Sequence, residues 1–389
     1  MSYDYVKIAD FCHLVSRGKT PKYDDNGSGK VVKSAHVQIE NIRWENCPNV
    51  SDEFVLKYRD NFRLRKRDVL LNGTGTGTLG RPGCVNEEPD GIFILDSHVN
   101  LFRVKESKLF YRFLFYWLLT PQCQREIERS YTGSTNQIEL SAIRAGNLSI
   151  PLPPLEEQKR IAAILDKADR IRRKRQEAIR LTEELGRSIF LDMFGDPVTN
   201  PKGWDVNRVI DYCDCIVPAR DKPKSFTGKI PWITTADLNF LDETYISNIN
   251  MGLSVDEIKK AKARMIPKGS VLLTCVGDLG VTSIAGCDMV VNQQLHTFQC
   301  QKVNNFFLMY SLPFQKDYMR KRATQTTLPY MNKTSCNSIP IIVPPRELQD
   351  KFGDLVSRAN KGKELYNDAM QKSENLFNSL LQRAFRGEL

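Results

Sequence analysis

The chain has 389 residues, 41% hydrophobic and 26% charged, with 56 Lys and Arg against 46 Asp and Glu and a sequence pI near 9.0. That length calls for more than one domain, and the composition excludes a disordered chain. A net charge of +10 favours a polyanionic partner, or serves only as a solubilising surface.

The first residues, Met1-Ser2-Tyr3-Asp4-Tyr5, lack the charged-then-apolar order of a secretory leader. The strongest apolar run, Phe113 to Leu119, is too short to span a bilayer, so a cytoplasmic protein is expected. A mixed segment follows from about residue 5 to 150. It holds β-type runs such as Gly91-Ile92-Phe93-Ile94-Leu95, and an aromatic-rich helical stretch from Tyr111 to Leu119. At Pro153-Pro154 the pattern turns helical: proline suits a first helical turn, and Glu156-Glu157 suit its positive end. Ile161, Ile164, Ala168, Ile171, Ala178, Leu185 and Ile189 then recur at spacings of three and four, with polar Arg175 and Thr182 on the same stripe. The basic run Arg170-Ile171-Arg172-Arg173-Lys174-Arg175 is either a solvated face or a contact for DNA phosphate or an acidic partner.

A second mixed segment runs from about 204 to 340, with Met289-Val290-Val291 as a strand and Phe306 to Met319 as an aromatic helical stretch. A second helix begins after Pro344-Pro345, with Leu348, Phe352, Leu355, Ala359, Tyr366, Ala369, Leu376 and Leu380 as its stripe. The halves are copies, repeating after about 190–200 residues. Ile150-Pro151-Leu152-Pro153-Pro154 recurs as Ile341-Ile342-Val343-Pro344-Pro345, and Glu156 and Gln158 recur as Glu347 and Gln349. Asp68-Val69-Leu70-Leu71 leading to Leu79-Gly80 matches Ser270-Val271-Leu272-Leu273 leading to Leu279-Gly280. The register aligns Ile161 with Phe352, Ile164 with Leu355 and Leu185 with Leu376. Each helix is expected to reach ~50–60 Å at 1.5 Å per residue, and so long a helix needs a partner. The other copy is the obvious one; the alternative is that each packs on its own domain.

A search for chemistry finds none. The ten Cys include no C-x-x-C, the closest pair being Cys213 and Cys215, so neither structural zinc nor a disulfide framework is expected. Gly73-Thr74-Gly75-Thr76-Gly77-Thr78-Leu79-Gly80 follows an apolar run but lacks the Gly-Lys-Ser/Thr ending of a phosphate loop, and reads as a turn. Neither Pro-Pro is preceded by Asn or Asp, as an adenine methyltransferase requires. His13, His36, His98 and His296 have no partners nearby in sequence, which leaves only a triad assembled in space.

The run Ile150-Pro151-Leu152-Pro153-Pro154-Leu155-Glu156-Glu157-Gln158-Lys159-Arg160-Ile161-Ala162 resembles the start of the central conserved helix of type I restriction-modification specificity subunits. Phe385-Arg386-Gly387-Glu388-Leu389 resembles that family's C-terminal ending, and Met193-Phe194-Gly195-Asp196 its central counterpart; Gly203-Trp204 and Ile230-Pro231-Trp232-Ile233 also fit. The resemblance implies an α+β chain with two mixed target-recognition domains, residues 1–150 and 199–341. Two long antiparallel coiled-coil-like spacer helices, 151–198 and 342–389, join them with pseudo-two-fold repetition. Each domain would read one half of a split, asymmetric site in double-stranded DNA. The spacer would dock two methyltransferase subunits, and restriction subunits would join them. The chain itself would hold no catalytic residue, metal or cofactor, S-adenosylmethionine being bound by the methyltransferase.

Base-reading candidates lie in turn-rich stretches with side chains able to address base edges. In the first domain they are Arg17, Lys19, Lys22, Gln38, Asn41, Thr74, Thr76, Ser134, Asn136 and Gln137. In the second they are Arg220, Lys222, Lys224, Thr234, Thr235, Asn239, Arg322, Gln325, Thr327 and Asn332. Two other classes stay open: an enzyme whose site no motif reveals, and a scaffold indifferent to DNA sequence.

Overall fold

The computed structural model describes residues 3–39, 41–133, 138–218, 222–324 and 327–389. They form two compact units, Met1–Lys174 with Met370–Leu389, and Arg175–Ala369. Each unit therefore holds one mixed domain and parts of both long helices, and the division cuts across the four segments read from sequence.

The first unit opens with β1 (Tyr5–Lys7) and β2 (Cys12–Arg17), then β3 (Gly29–Val32) and β4 (Asn49–Val50). Ser51 caps α1 (Asp52–Phe62) by accepting from Phe54 N at 3.3 Å, and Asp52 and Glu53 sit at the positive end of the helix. Next come β5 (Val69–Asn72), β6 (Pro82–Cys84), β7 (Ile92–Leu95) and β8 (Val99–Val104). The order β2-β8-β5-β6 makes one sheet and β4-β3-β7 another, in which β3 and β7 run parallel. All four residues of β5 are buried, which is why Val69-Leu70-Leu71 is a continuous apolar run instead of an alternation.

Helix α2 (Tyr111–Leu119) follows, then α3 (Pro121–Ser130), α4 (Ala142–Gly146) and β9 (Ser149–Pro151), which pairs antiparallel with β1. Residues Arg112 to Leu118 of α2 are all buried, so the helix lies inside the unit and not on it. Its one charge, Arg112, is neutralised by Asp166 of α5 (Leu155–Phe194), and Asp166 also accepts from Tyr116 Oη at 2.7 Å.

The second unit repeats this plan. After β10 (Val206–Arg208) come β11 (Cys213–Ile216), β12 (Ile230–Ile233), β13 (Glu243–Thr244), β14 (Gly252–Leu253) and α6 (Val255–Lys260). Then follow β15 (Val271–Thr274), β16 (Thr282–Ala285), β17 (Val290–Val291), β18 (Leu295–Cys300), α7 (Asn305–Ser311), α8 (Lys316–Arg322), α9 (Lys333–Asn337), β19 (Pro340–Ile342) and α10 (Arg346–Arg386). The sheet β11-β18-β15-β16-β13 matches β2-β8-β5-β6 strand for strand, with β13 added at its edge. The sheet β14-β12-β17 matches β4-β3-β7, including the parallel pair, and β10-β19 matches β1-β9. Gly80 and Gly280, paired by the sequence repeat, both hold positive φ, at 78° and 87°, where they close the same turn.

The repeated proline-glutamine signature has a physical reason. Gln158 is fully buried, accepts from Phe110 N at 2.8 Å, and donates to Lys108 O at 3.0 Å and Pro153 O at 2.9 Å. Gln349 is buried likewise, accepts from Asn304 N at 2.9 Å and donates to Pro344 O at 2.7 Å. Each glutamine fastens the start of a long helix to the backbone entering α2 or α7.

The two long helices have 40 and 41 residues. Within the first unit Arg160 bonds Leu389 O at 3.1 Å and Arg172 bonds Glu374 at 3.3 Å, so the segments there run in opposite directions. Within the second unit Arg175 bonds Ala369 O, and Phe190 meets Phe352 at 5.5 Å between ring centroids, again in opposite directions.

The apolar stripe read from sequence is corrected in part. Ile161, Ala168 and Phe352 are buried, and Ile164, Ile189, Ala359 and Leu380 are half-buried. Ile171, Leu355 and Tyr366 are exposed, and Leu185 and Leu376 are 50% and 55% exposed. The buried faces centre instead on Ala162, Leu165 and Phe190 of α5, and on Val356, Phe377, Leu381 and Phe385 of α10. Those residues pack on the mixed domains' aromatic cores, and the middle of the helices is held by Asp169, Arg172, Arg175 and Glu374. Three- and four-residue spacing fits several neighbouring faces of a helix, and the domain decides which is covered.

Candidate nucleic-acid interface

In the first domain the ends of β2 and β5 and the turn between β7 and β8 form one rim. Arg17 ends β2: its Nε donates to Ser97 O at 2.6 Å and its Nη1 pairs with Glu139. Glu139 is fixed through its backbone, exchanging 2.8 Å bonds with Thr132, and it also bridges Thr74. Thr74 begins the glycine-rich turn, whose Thr78 hydroxyl closes on Thr74 O at 2.7 Å; Thr76 stands exposed at the tip. Beneath, Asn72 Nδ2 and Arg81 Nη2 both donate to Ser34 O at 3.0 Å, and Asn100 Nδ2 donates to Leu140 O at 3.1 Å. The turn is thus a braced loop presenting hydroxyls and backbone, as expected, and not a phosphate loop opening a helix.

The same rim in the second domain has different chemistry. β15 leads into the turn from Cys275 to Gly280, where Val276 bridges Tyr330 as Thr74 bridges Glu139. Tyr330 and its neighbour Leu328 are exposed. The strand register that pairs Arg17 with Asn100 places Val217 beyond Ile216, next to the Thr297 and His296 end of β18.

One cluster here tests for a triad assembled in space. His296 Nε2 lies 3.1 Å from Cys215 Sγ and 3.0 Å from Asn337 Oδ1. A relay needs thiol and amide on opposite ring nitrogens, and here both meet the same one. Burial lowers the His296 pKa to about 4, so the ring is neutral, and burial raises the Cys215 thiol. A neutral imidazole beside a protonated thiol packs β18 against β11 and α9; it supplies no nucleophile. Elsewhere burial pushes the Cys12, Cys47 and Cys84 thiols up to about 12. Among the described residues no group of three or more His, Cys, Asp or Glu is placed to hold a metal ion.

The family model described as "Type I restriction modification DNA specificity domain" matches residues 2–181 and again 201–370, once for each copy. The chain belongs to that family. The relatives it resembles include the type I restriction enzyme MjaVIII specificity subunit of Methanocaldococcus jannaschii. That protein is 24% identical over 418 residues, covering 96% of this chain and 91% of the relative. The type I restriction enzyme EcoBI specificity subunit of Escherichia coli is 25% identical over 433 residues, covering 92% and 87%. The fold resembles the crystal structure of the type I restriction-modification system S subunit from M. genitalium, with a TM-score of 0.64 at 13% identity, covering 99% of this chain and 96% of that one.

In this type I specificity chain the other candidate side chains divide by what occupies them. Lys19 stands exposed near the first rim, its ammonium 5.4 Å from the Phe62 ring. Lys22 pairs with Glu53 at 2.6 Å, Gln38 donates to Ala35 O at 2.8 Å, and Asn41 is exposed beside it. In the second domain Lys222, Lys224 and Thr327 are exposed, and Arg322 stacks 5.2 Å over Tyr318. Thr235 reaches Gln294 at 3.5 Å. Thr234 bonds Asp237 at 2.7 Å and Asn332 caps α9 by accepting from Ser335 N at 2.9 Å. Asn239 donates to Glu243 O at 2.9 Å and lines a cavity of about 600 Å³ beside the long helices. Ser134, Asn136, Gln137, Arg220 and Gln325 lie outside the described residues. Sequence reading missed Glu139 and Ser97, which no local pattern marks. The basic run on α5 is partly spent within the fold: Arg172 and Arg173 pair with Asp169, and Arg175 bonds the α10 backbone.

Proposed function

We propose that this chain is the non-catalytic, sequence-reading subunit of a type I restriction-modification complex. It reads a bipartite, asymmetric site in double-stranded DNA and directs adenine methylation and restriction by partner subunits. The observation that carries this reading is the pairing of equal scaffolds with unequal rims. The two domains share a strand order, yet one rim carries Arg17, Glu139 and Thr74 where the other carries Val217, Tyr330 and Val276. Equal scaffolds suit the same task done twice, and unequal rims suit two different half-sites. The net charge of +10 supplies the sequence-independent phosphate attraction.

In this reading the two long helices, each about 60 Å at 1.5 Å per residue, are an antiparallel spacer that sets the gap between half-sites. Exposed leucines on these helices, Leu185, Leu355 and Leu365 in the second unit and Leu376 in the first, offer apolar side chains to two methyltransferase subunits, with restriction subunits joining that core. S-adenosylmethionine belongs to the methyltransferase, and the complex works in the cytoplasm. No described helix is long and apolar enough to cross a membrane.

The test is adenine-methylation mapping in cells carrying the partner methyltransferase, with and without this chain. A split motif that appears only with the chain is the expected result. Exchanging residues 204–340 for another mixed domain should then alter one half of the motif and leave the other. No motif beside an active methyltransferase, or a motif altered in both halves by the exchange, would defeat the reading.

A further inference from the structure

We infer that Arg17 and Glu139 together read a G·C base pair in the half-site of the first domain, an inference that rests on the proposed function. The two side chains are 122 positions apart in sequence and meet on the rim beside the glycine-rich turn. Arg17 is 24% exposed and Glu139 46%, so both are reachable and neither is a core pair. An ion pair at that exposure adds little to folding, and the geometry shows more care than stability needs. The Arg17 stem is fixed at Nε by Ser97 O, and the Glu139 backbone is pinned on both sides by Thr132. These bonds use the Nε–H and one N–H of Nη1, so of the five guanidinium N–H donors the second on Nη1 and the two on Nη2 are left to form the fork.

The major-groove edge of a G·C pair shows two acceptors, guanine N7 and O6, followed by one donor, cytosine N4–H. Arg17 and Glu139 present the complement in the same order: two guanidinium arms, then a carboxylate. The fork takes the guanine, and the carboxylate takes the cytosine amine while still holding Nη1. An A·T pair puts a donor where the fork's second arm points and a methyl group on the thymine side, leaving both partners unpaired. Because the pair is already assembled, binding costs little side-chain ordering. At the three equivalent positions the second domain has Val217, Val276 and Tyr330, which carry neither a guanidinium nor a carboxylate.

The experiment is methylation mapping of the assembled complex with wild type, Arg17→Lys, Arg17→Ala and Glu139→Gln. The domain exchange assigns one half of the wild-type motif to residues 5–150. That half is expected to contain an invariant G·C pair. Arg17→Lys keeps the charge but loses the fork, and should lower discrimination at that one position by about tenfold to hundredfold. Glu139→Gln should relax the same position, and the other half of the motif should stay intact, which certifies that the variant folds and assembles. Arg17→Ala and Glu139→Gln proteins that keep every position of the motif would overturn the inference and leave the proposed function standing. So would a first-domain half-site without a G·C pair, or weakening spread evenly over all positions, which marks a phosphate contact. Absence of any split motif with wild type would remove the proposed function and this pair with it.

Discussion

At the junction between mixed domain and long helices, the two units solve one packing problem in opposite ways. In the first unit Tyr116 lies 6.1 Å from the ring of Phe377, which Arg172 caps at 5.2 Å. The register that pairs Gln158 with Gln349 also pairs Gly186 with Phe377, and the amides those glutamines accept from, Phe110 and Asn304, align Tyr116 with Tyr310. In the second unit Gly186 has no side chain, and Tyr310 moves onto its backbone: a Cβ there would sit 2.4 Å from the tyrosine oxygen. The helix that carries a ring in one unit is approached closely in the other, beside the 600 Å³ cavity. Pseudo-symmetry thus governs the backbone, and side-chain volume is free to differ as long as each junction closes.

The largest test of this contrast is Phe377→Ala, which should cost about 3–5 kcal/mol in the first unit alone. Gly186→Ala should cost about 1–3 kcal/mol in the second, by overpacking against Tyr310. Calorimetry or hydrogen exchange resolved by unit would show each loss in its own unit; equal losses in both would mean that the units unfold as one.

The second test sets His296 against its counterpart in the strand register, Asn100. The folded pKa of His296 is lowered to about 4 from 6.5, so the unfolded state takes the proton first. Its contribution to stability is complete above pH 6.5 and is lost as pH falls toward 4, amounting to about 2 kcal/mol by pH 5. Wild type should therefore lose more stability than His296→Asn between pH 7.5 and 5, by thermal melts in matched buffers. Parallel curves would show that the histidine is not buried neutral. Burial lowers His36 in the first domain as well, so the variant and not the other domain is the proper control.

Removing the helix clasps comes next: Gln158→Ala and Gln349→Ala should each cost about 1–3 kcal/mol, because each orphans a buried backbone amide. Matching losses would show that the two clasps are equivalent; a loss at only one would break the symmetry argued for them. Leu185→Asp should do least, changing stability by no more than about 0.5 kcal/mol because the residue is half exposed. A large drop in melting temperature would restore the continuous apolar seam, whereas a normal melt with weaker methyltransferase association would place the partner on that face.

The repeat was legible in sequence because its signals are local. Pro-Pro followed by a glutamine, and a buried strand leading to Leu-Gly, each mark one element without reference to distant parts. The helices were legible as helices for the same reason. Their covered face was not, because Leu185 and Leu376 satisfy heptad spacing as well as Phe190 and Phe377 do, and only the domain core beside them decides. The rim was half legible. Arg17 and Thr74 announced themselves by type and by neighbouring glycines, but Glu139 acquires its meaning from a strand end more than a hundred residues away. Thr234, Asn332 and Asn239 show the converse: polar side chains suited to bases are equally suited to capping turns, and in the fold each is hydrogen-bonded to its own neighbours.

The division of the chain also orders its birth. The second unit is one unbroken stretch, Arg175–Ala369, whereas the first needs Met370–Leu389 to complete its core with Phe377, Leu381 and Phe385. The domain translated first is therefore finished last. Until Met370–Leu389 have emerged, Ile161, Leu165 and Trp117 lack the helix that packs with them, and a chain cut after Ala369 would carry one closed unit and one apolar groove open to chaperones.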